Sequence, residues 1–585
     1  MMGGYPRQGQ TLDEVRNLLI GELEKIKKGE FDDWLVEAAV NNMELKRLKE
    51  MEKNWPRAMA MVDAFMWEME WKKYVERWIR MKEIDKAKLQ DFVRKHFSEN
   101  YVAIYKRQGQ DTTIKKVEKP HITPLPLDRS KESEFAKKFK EWKTEPIQPV
   151  FVDFQKAIHF DKFQSLDLLK VDNTTNALAD MYFVYDLNKK NMPEAPLLAK
   201  YFPLLGTSKY SSNDIKKEFF KLGVSLDIYP SSEKLIFHLG GLEKNIDKAL
   251  PLYYHLLTDI QPDSTAYQNM VQDILKEREN RKQNKGVILF QAMANYAKYG
   301  KENPFTDIYS SEELQTLNPA QLAEKIQSLT GLEHRIYYYG QNDLQTIKTT
   351  LAEKYTIPEV ISPVPQEKEY TELEMNEEKV LFTDYDMVQT EILLLSKGQK
   401  FNKDLLSYGS LFNEYFGSGL SSIVFQEIRE TKALAYSAFC RFSFPKKTHQ
   451  SHYVTAYVGT QADKLENAVD ALLALMNKMP KAEKQFEAAK EAALKNIAAD
   501  RKTKTELFWF WEKHRDWGLT SDYRKDVYRQ IEKMTINDME NFFNQNIAGK
   551  KYTYCVIGNE NMVDFNALQK LGKINKLSLE EVFGY

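Results

Sequence analysis

Three times along the chain, apolar residues spaced three to five positions apart give way to a short aromatic and β-branched run. Leu89, Phe92 and Phe97 precede Tyr101-Val102-Ala103-Ile104-Tyr105. Leu322 and Ile326 precede His334-Arg335-Ile336-Tyr337-Tyr338-Tyr339-Gly340. Met539 and Phe542 precede Tyr552-Thr553-Tyr554-Cys555-Val556-Ile557-Gly558. The first spacing puts one apolar face on a helix, and the second composition favours an extended strand. Each copy is therefore predicted to end in an amphipathic helix followed by a strand, the signature of a repeated module. Longer helical patterns lie ahead of each ending, over 12–78, 265–299 and 482–517. The last of these runs into Leu507-Phe508-Trp509-Phe510-Trp511, and the first holds a Met/Trp-rich stretch, 59–78, in the same place. Aromatic residues recurring at one position of a repeat are read as core.

Proline-bearing, charged stretches punctuate the repeats. One carries Pro120, Pro124, Pro126, Pro146 and Pro149, and the other Pro358, Pro363 and Pro365. Such stretches resist regular structure and suit boundaries. The predicted organisation is a leading piece over 1–116, a linker over 117–150, a module over 151–356, a linker over 357–378 and a module over 379–585. The leading piece is helical with a lone terminal strand and lacks the front half of the other two. The chain is thus expected to begin inside a module. The fold class is α+β, two full modules and half of another.

Composition narrows the chemistry. With 84 basic and 85 acidic residues the net charge is -1, which gives no electrostatic reason to expect nucleic acid or an anionic membrane as partner. No apolar run reaches the roughly 18 residues needed to cross a bilayer, and the N-terminus lacks the apolar core of a signal peptide. Two cysteines, Cys440 and Cys555, exclude a disulfide framework and a cysteine zinc cluster. None of the nine histidines stands in H-x-x-E-H or H-E-x-x-H. The close pair His449 and His452 is read as part of a solvated hairpin. Gly417-Ser418-Gly419-Leu420 is a weak match to a dinucleotide loop, and the Lys/Glu-rich run 478–490 reads as a solvated helix face.

One segment is far more specific. Phe416-Gly417-Ser418-Gly419-Leu420-Ser421-Ser422-Ile423-Val424-Phe425-Gln426-Glu427-Ile428-Arg429-Glu430-Thr431-Lys432-Ala433-Leu434-Ala435-Tyr436-Ser437 resembles the signature of the C-terminal-type modules of the pitrilysin/insulinase (inverzincin) zinc metallopeptidases. Ala456-Tyr457-Val458-Gly459-Thr460 and the helical pattern after it also fit, and the three module endings match the family's recurring ends. The resemblance implies the metallohydrolase, LuxS/processing-peptidase-like architecture of homologous modules, each an antiparallel sheet backed by helices. This chain resembles the second half of module two followed by modules three and four.

The same resemblance assigns residues. In the family, the first module holds zinc through two histidines and a later glutamate, and the glutamate of H-x-x-E-H activates water. Here Gly206-Thr207-Ser208-Lys209-Tyr210-Ser211 matches the segment that follows the motif. Counting back places Leu197 and Tyr201 at the histidine positions and Lys200 at that of the base. Leucine has no lone pair, lysine is cationic and tyrosine is a poor zinc ligand at neutral pH, so module three is a degenerate copy. Module four of the family carries an arginine and a tyrosine seven residues apart that reach the substrate, and Arg429 and Tyr436 have that spacing. The alternative for this pair is a surface arginine bonded to Glu427 or Glu430 and a tyrosine packed at a strand start.

The resulting expectation is a substrate-enclosing portion of a zinc-dependent endopeptidase acting on peptides or unfolded segments. It would be inactive alone, with no metal of its own, and would work with a zinc-bearing N-terminal half fused or in trans. The rival is a non-catalytic partner or structural subunit. The compartment stays open, a bacterial periplasm included.

Overall fold

The computed structural model describes residues 1–7, 9–109, 113–115, 133–142, 145–417 and 419–585; the side chains of Ala136 and Lys140 also fall outside the description. The first repeat that closes a sheet contains β1 (His159–Phe163), β2 (Leu166–Asp172), β3 (Leu178–Tyr185), a short β4 (Gly206–Thr207), β5 (Val224–Pro230), β6 (Leu235–Leu242), a short β7 (Ile260–Gln261) and β8 (Arg335–Gly340). Six of these form one sheet in the order β1-β2-β8-β3-β6-β5, and β4 pairs separately with β7. The second repeat contains β9 (Lys379–Asp384), β10 (Gln389–Lys400), β11 (Ser437–Ser443), β12 (Ser451–Gln461), β13 (Thr553–Gly558) and β14 (Lys573–Lys576), ordered β11-β12-β10-β13-β9-β14. Pairing is mostly antiparallel. The parallel pairs are β2 with β8, and β9 with both β13 and β14. The strands that end the second and third repeats, β8 and β13, are late in the chain yet central in their sheets.

Both faces of each sheet are covered, which is why β8 and β13 are buried at every position instead of alternating. One face of the first sheet, with Phe183, Leu239 and Ile336, packs on its own helices. The other, with Leu169, Tyr182, Val184, Tyr337 and Tyr339, packs on Leu507, Phe508 and Phe510 from the far end of the chain. The second sheet is treated in the same way. Ile392, Leu394 and Val556 face its own helices. Leu393, Leu395, Tyr453, Cys555 and Ile557 receive Ile288, Leu289, Ala292 and Met293 from the first repeat. Each repeat thus lends one aromatic or apolar helical turn to the other's sheet. The reading of Leu507–Trp511 as core holds, and the partner is the neighbouring sheet.

Residues 357–378 carry no helix or strand beyond one bridge between Ser362 and Leu332, yet they are fastened down. Glu367 bonds Lys190 and Lys447 (both 2.8 Å) and Asn188 (2.9 Å). Burial alone would raise its pKa; these donors override that and hold it at about 2. Residues 117–132, 143 and 144 of the other expected linker lie outside the described residues, and within its remainder Glu134–Glu141 is helical.

The chain divides into two compact units: Met1–Asp32 with Asp85–Pro149, and Asp33–Ile84 with Val150–Tyr585. In the first, Thr11 and Glu14 form a capping box at the start of helix Leu12–Lys28, and Gly29 ends it at φ 78. The helix Lys86–His96 is tied to it by Arg94, whose Nε donates to the Lys27 carbonyl at 2.8 Å. The strand expected at 101–105 is absent. Those residues make no sheet pairing, and an extended run without a neighbouring ladder gains nothing from its β-forming composition. In the second unit, helix Trp34–Met51 lies on helix Ser212–Leu222. The Asn42 amide donates to the Phe220 carbonyl at 3.2 Å, and Trp34 meets the Phe220 ring edge-on at 6.3 Å. Helices Asn54–Met66 and Trp71–Met81 follow. Here the core reading of 59–78 fails. Ala60, Ala64 and Tyr74 are buried, but Met61, Phe65, Met66, Trp67 and Trp71 are exposed. Met61, Phe65 and Met66 share helix Asn54–Met66 with Ala60 and Ala64; that helix is apolar on both sides, so one side can be buried while the other is left outward.

Candidate functional site

The conspicuous segment folds as a helix, a turn and a shorter helix feeding β11. Leu405–Phe412 is α-helical and continues as a π-helical turn, Asn413–Gly417. A Cβ on Gly417 would lie 1.9 Å from the Cys440 carbonyl oxygen, so only glycine fits against β11. Ser418 lies outside the described residues. Gly419 turns the chain at φ 103, and buried Ser422 caps the next helix by accepting from the Phe425 amide. The helix then widens into a π-helical turn, Gln426–Thr431. Ile423, Val424 and Ile428 anchor one side in the core of the second sheet, which leaves Arg429 on the other.

The route from Arg429 to Tyr436 is fixed by the main chain. Ala433 sits at φ 48, a left-handed conformation that costs an alanine on the order of 1 kcal/mol. It is held by the Leu434 amide donating to Ile428 O (3.1 Å), the Thr460 hydroxyl donating to Leu434 O (2.5 Å), and the Tyr436 amide donating to Gly459 O (3.0 Å). Strain of this kind persists where surrounding contacts over-determine the backbone. Its effect is to bring the two side chains together. The Arg429 guanidinium lies 5.4 Å from the Tyr436 ring centre and 4.8 Å from that of Phe425. Its Nε is 3.6 Å from Glu430, so the ion pair of the alternative reading is also present. Tyr436 is 75% exposed, not packed, and among the described residues its hydroxyl has no hydrogen-bond partner. A permanently charged fork of donors and a phenolic O–H therefore stand side by side facing solvent.

Leu197, Lys200 and Tyr201 lie together on helix Ala195–Tyr201, in surroundings that do not fit a zinc ion. Leu197 is buried in apolar core. Lys200 points outward and pairs with Glu277 at 2.8 Å. The Tyr201 hydroxyl donates to Asp263 O at 2.9 Å and accepts from Asp263 N at 2.8 Å. Burial raises its pKa above the ordinary phenol value, so it stays protonated at neutral pH. Among the described residues no group of three or more His, Cys, Asp or Glu is arranged to hold a metal ion. His449 and His452 part company. His449 is exposed, but His452 is fully buried at the start of β12, stacked on Phe442 at 4.9 Å, with Nε2 accepting from the Asn402 amide at 3.1 Å. The solvated-hairpin reading was wrong for His452, because its ring fills the space between Phe442 and Phe401.

Sequence reading missed the largest buried charge cluster. Arg335 on β8 makes a bidentate bond to Asp186 (2.7 and 2.8 Å) and a third bond to Glu512 (2.9 Å) on the helix lent by the other repeat. The Tyr337 hydroxyl also donates to Glu512, while Arg515 and Lys234 approach it at 3.1 and 3.3 Å. Burial opposes ionisation of both carboxyls, but these cations hold Asp186 and Glu512 below the usual carboxylate range. The chain positions give no hint of it, since Arg335 and Glu512 stand 177 residues apart.

Comparison with known proteins adds an independent line. Residues 335–493 match the family model described as the peptidase M16 inactive domain; that stretch runs from β8 through Arg429 and Tyr436 into helix Glu483–Ala499. An uncharacterised zinc protease of Rickettsia felis is 25% identical over 294 residues, 47% of this chain and 65% of that protein. The chain thus spans just under two thirds of that relative's length. A Helicobacter pylori protein named non-peptidase homolog YmxG is 24% identical over 218 residues, 34% of this chain and 46% of that protein. Among solved structures, a peptidase M16 inactive domain from Pseudomonas fluorescens shares the fold with a TM-score of 0.55 and 16% identity, covering 70% of this chain and 99% of that one. No described helix is long and apolar enough to cross a membrane. The signature segment, the matched domain and the shared fold agree: residues 335–493 are similar to the peptidase M16 inactive domain, and the chain has the fold of such domains.

Proposed function

We propose that this chain is the substrate-enclosing portion of a zinc-dependent endopeptidase that cleaves peptides or unfolded segments, with the metal and general base on an N-terminal portion. The observation that carries the reading is the exposed Arg429–Tyr436 pair. Peptide hydrolysis places negative charge on the scissile carbonyl oxygen, and fixed donors aimed at that charge lower the barrier. Arg429 supplies a charged fork, steadied by the Phe425 and Tyr436 rings. Tyr436 supplies a neutral O–H. The strained but tied-down turn at Ala433 sets both before substrate arrives. The residues of this chain at the degenerate motif, Leu197, Lys200 and Tyr201, do not fit zinc.

The test is to supply the zinc-bearing portion, fused or in trans, and follow turnover of an unfolded peptide. Arg429→Ala and Tyr436→Phe are each expected to lower kcat by about 10²–10³-fold, the scale of losing one oxyanion donor, with a smaller change in KM. Arg429→Lys should not rescue fully, because an ammonium cannot reproduce the directed fork. Turnover near wild type in both single variants would sink this assignment. A second reading, a non-catalytic partner subunit, is favoured by the H. pylori relative's name. It gains if zinc-dependent cleavage by the assembled pair is indifferent to both residues.

A further inference from the structure

Among the described residues, β5 is the last strand of its sheet, paired on one side only, with β6. Its other side presents alternating main-chain N–H and C=O groups, which an extended chain satisfies. Two cavities lie along it. The first, about 230 Å³, is apolar and lined by Phe202, Leu205, Phe219, Val224, Leu226 and Ile228. Val224, Leu226 and Ile228 are alternate residues of β5, so they share one face. The second, about 350 Å³, opens at the beginning of β5 beside Gly223 and Gly240, under Lys46, Lys49 and Lys53 of the helix Trp34–Met51 and its end. Asn42 and Ser225 line both cavities, so the two adjoin.

Lysines outnumber carboxylates in the lining of this groove, and the half-exposed Asp227 of β5 is held by His238 at 3.6 Å. Lys216 lines the apolar cavity; Lys46, Lys49 and Lys53 line the other; Glu50 is the carboxylate among them. Lys46 stands 4.0 Å from Glu50 and Lys49 stands 3.8 Å from Asp180. Lys53 is exposed and has no carboxylate partner among the described residues. Glycine at 240 and 241 lets the floor lie flat: a Cβ on Gly241 would meet the Gly223 carbonyl at 2.2 Å, and one on Gly240 would meet His238 at 2.6 Å.

We infer that this groove binds an extended peptide segment of another protein as an added strand on β5. An apolar side chain would fill the cavity at Leu226 and Ile228, and acidic residues would lie toward Gly223, under Lys46 and Lys53. The three features recognise different parts of one occupant. The strand edge takes its main chain, the apolar cavity one side chain, and the lysines its carboxylates. The site stands in a different repeat from Arg429 and Tyr436 and needs no metal, so it does not depend on the proposed peptidase role.

The test uses the chain by itself and three fluorescein-labelled decapeptides. The first alternates threonine with leucine and ends in three glutamates; the second ends in three lysines instead; the third is the first with alternate amides N-methylated. Fluorescence anisotropy is expected to show saturable binding of the first, with the other two at least tenfold weaker. Lys46→Glu/Lys53→Glu, surface changes that leave the fold intact by circular dichroism, should weaken the glutamate peptide at least tenfold and strengthen the lysine peptide. Ile228→Glu should weaken both. Equal binding of the N-methylated peptide, indifference to the charge reversal, or no binding at millimolar peptide would overturn the proposal. So would self-association through β5 that excludes the peptide in sedimentation experiments.

Discussion

His334 stands immediately before β8, 1% exposed, between Tyr185 at 4.6 Å and Tyr355 at 5.9 Å. Its Nδ1 is 2.7 Å from the Leu332 carbonyl oxygen and its Nε2 is 3.0 Å from the Tyr355 hydroxyl. A carbonyl only accepts, so Nδ1 carries the proton and Nε2 accepts from Tyr355. Burial holds that phenol well above its ordinary pKa, so it remains a donor. Protonating Nε2 would set two donors against each other in a dry pocket. Burial accordingly pulls the His334 pKa down to about 4, against the Leu332 carbonyl, which favours the cation; Arg335 lowers it further. An unfolded histidine titrates near ~6.5. The unfolded chain therefore takes up a proton that the folded chain refuses between about pH 6.5 and 4. Stability from this group is complete above that window, declines as pH falls through it, and levels off below. A gap of roughly 2.5 pKa units is worth about 3 kcal/mol. His334→Gln keeps a polar group there but removes the titration. Hydrogen exchange across β8, corrected for intrinsic rates, should show the opening free energy of wild type falling by about 3 kcal/mol more than that of the variant between pH 7 and 4. The carboxyls of Asp186, Glu512 and Glu367 are held below their ordinary values, so their contributions begin to fall only at the bottom of this window, below about pH 5, and that loss is common to wild type and variant. Parallel pH profiles for the two proteins would refute the reasoning.

Phe508→Ala, which empties a fully buried ring site stacked 4.9 Å from Tyr337, should cost about 3–5 kcal/mol; a urea midpoint close to wild type would show that the lent helix is not part of the core. Glu512→Ala should cost about 3–5 kcal/mol by leaving Arg335 and Lys234 less compensated, whereas Arg335→Met with Glu512→Leu should cost less than the sum of the single changes, measured by denaturant melts as a double-mutant cycle. Protein purified without a metal-affinity tag should carry far less than one zinc per chain by elemental analysis. Stoichiometric zinc with chelator-sensitive cleavage would overturn that expectation.

What could be read from sequence follows how local the determining contacts are. The endings at 335–340 and 553–558 announce themselves because β-forming composition and a preceding amphipathic helix are both local signals, and both became central strands. The identical signal at 101–105 produced no strand, because a strand is completed by its neighbours and composition says nothing of them. The aromatic run Leu507–Trp511 and the stretch 59–78 look alike in sequence. One meets the face of a sheet and is buried; the other has packed one helical side and left Phe65 and Trp67 outward. Arg429 and Tyr436 were proposed from the family resemblance of a long specific segment, whose arginine–tyrosine spacing they share. Their stacking depends on the left-handed Ala433, which composition does not signal. The Arg335–Asp186–Glu512 cluster joins Arg335 to residues 149 and 177 positions away, beyond any local pattern.

The positions that the resemblance aligns with a zinc motif, Lys200 and Tyr201, make contacts that support their own helix. Lys200 pairs with Glu277, and Tyr201 bonds both main-chain groups of Asp263. Glu277 lies on helix Ser264–Lys282, and Asp263 is that helix's N-cap. These two polar side chains therefore brace one helix against another. That second helix leads through Lys285–Val287 into Ile288–Met293, the turn lent to the second sheet. There Met293 and Leu289 press on the face of β10 and β13, whose opposite face carries the core that anchors Ile423, Val424 and Ile428. A continuous set of packed elements thus runs from the motif position of one repeat to the helix bearing Arg429 in the next. Because each repeat completes the other's sheet, loosening either should be felt by both, and in the proposed function the Arg429–Tyr436 pair would gain rigidity from contacts in both repeats.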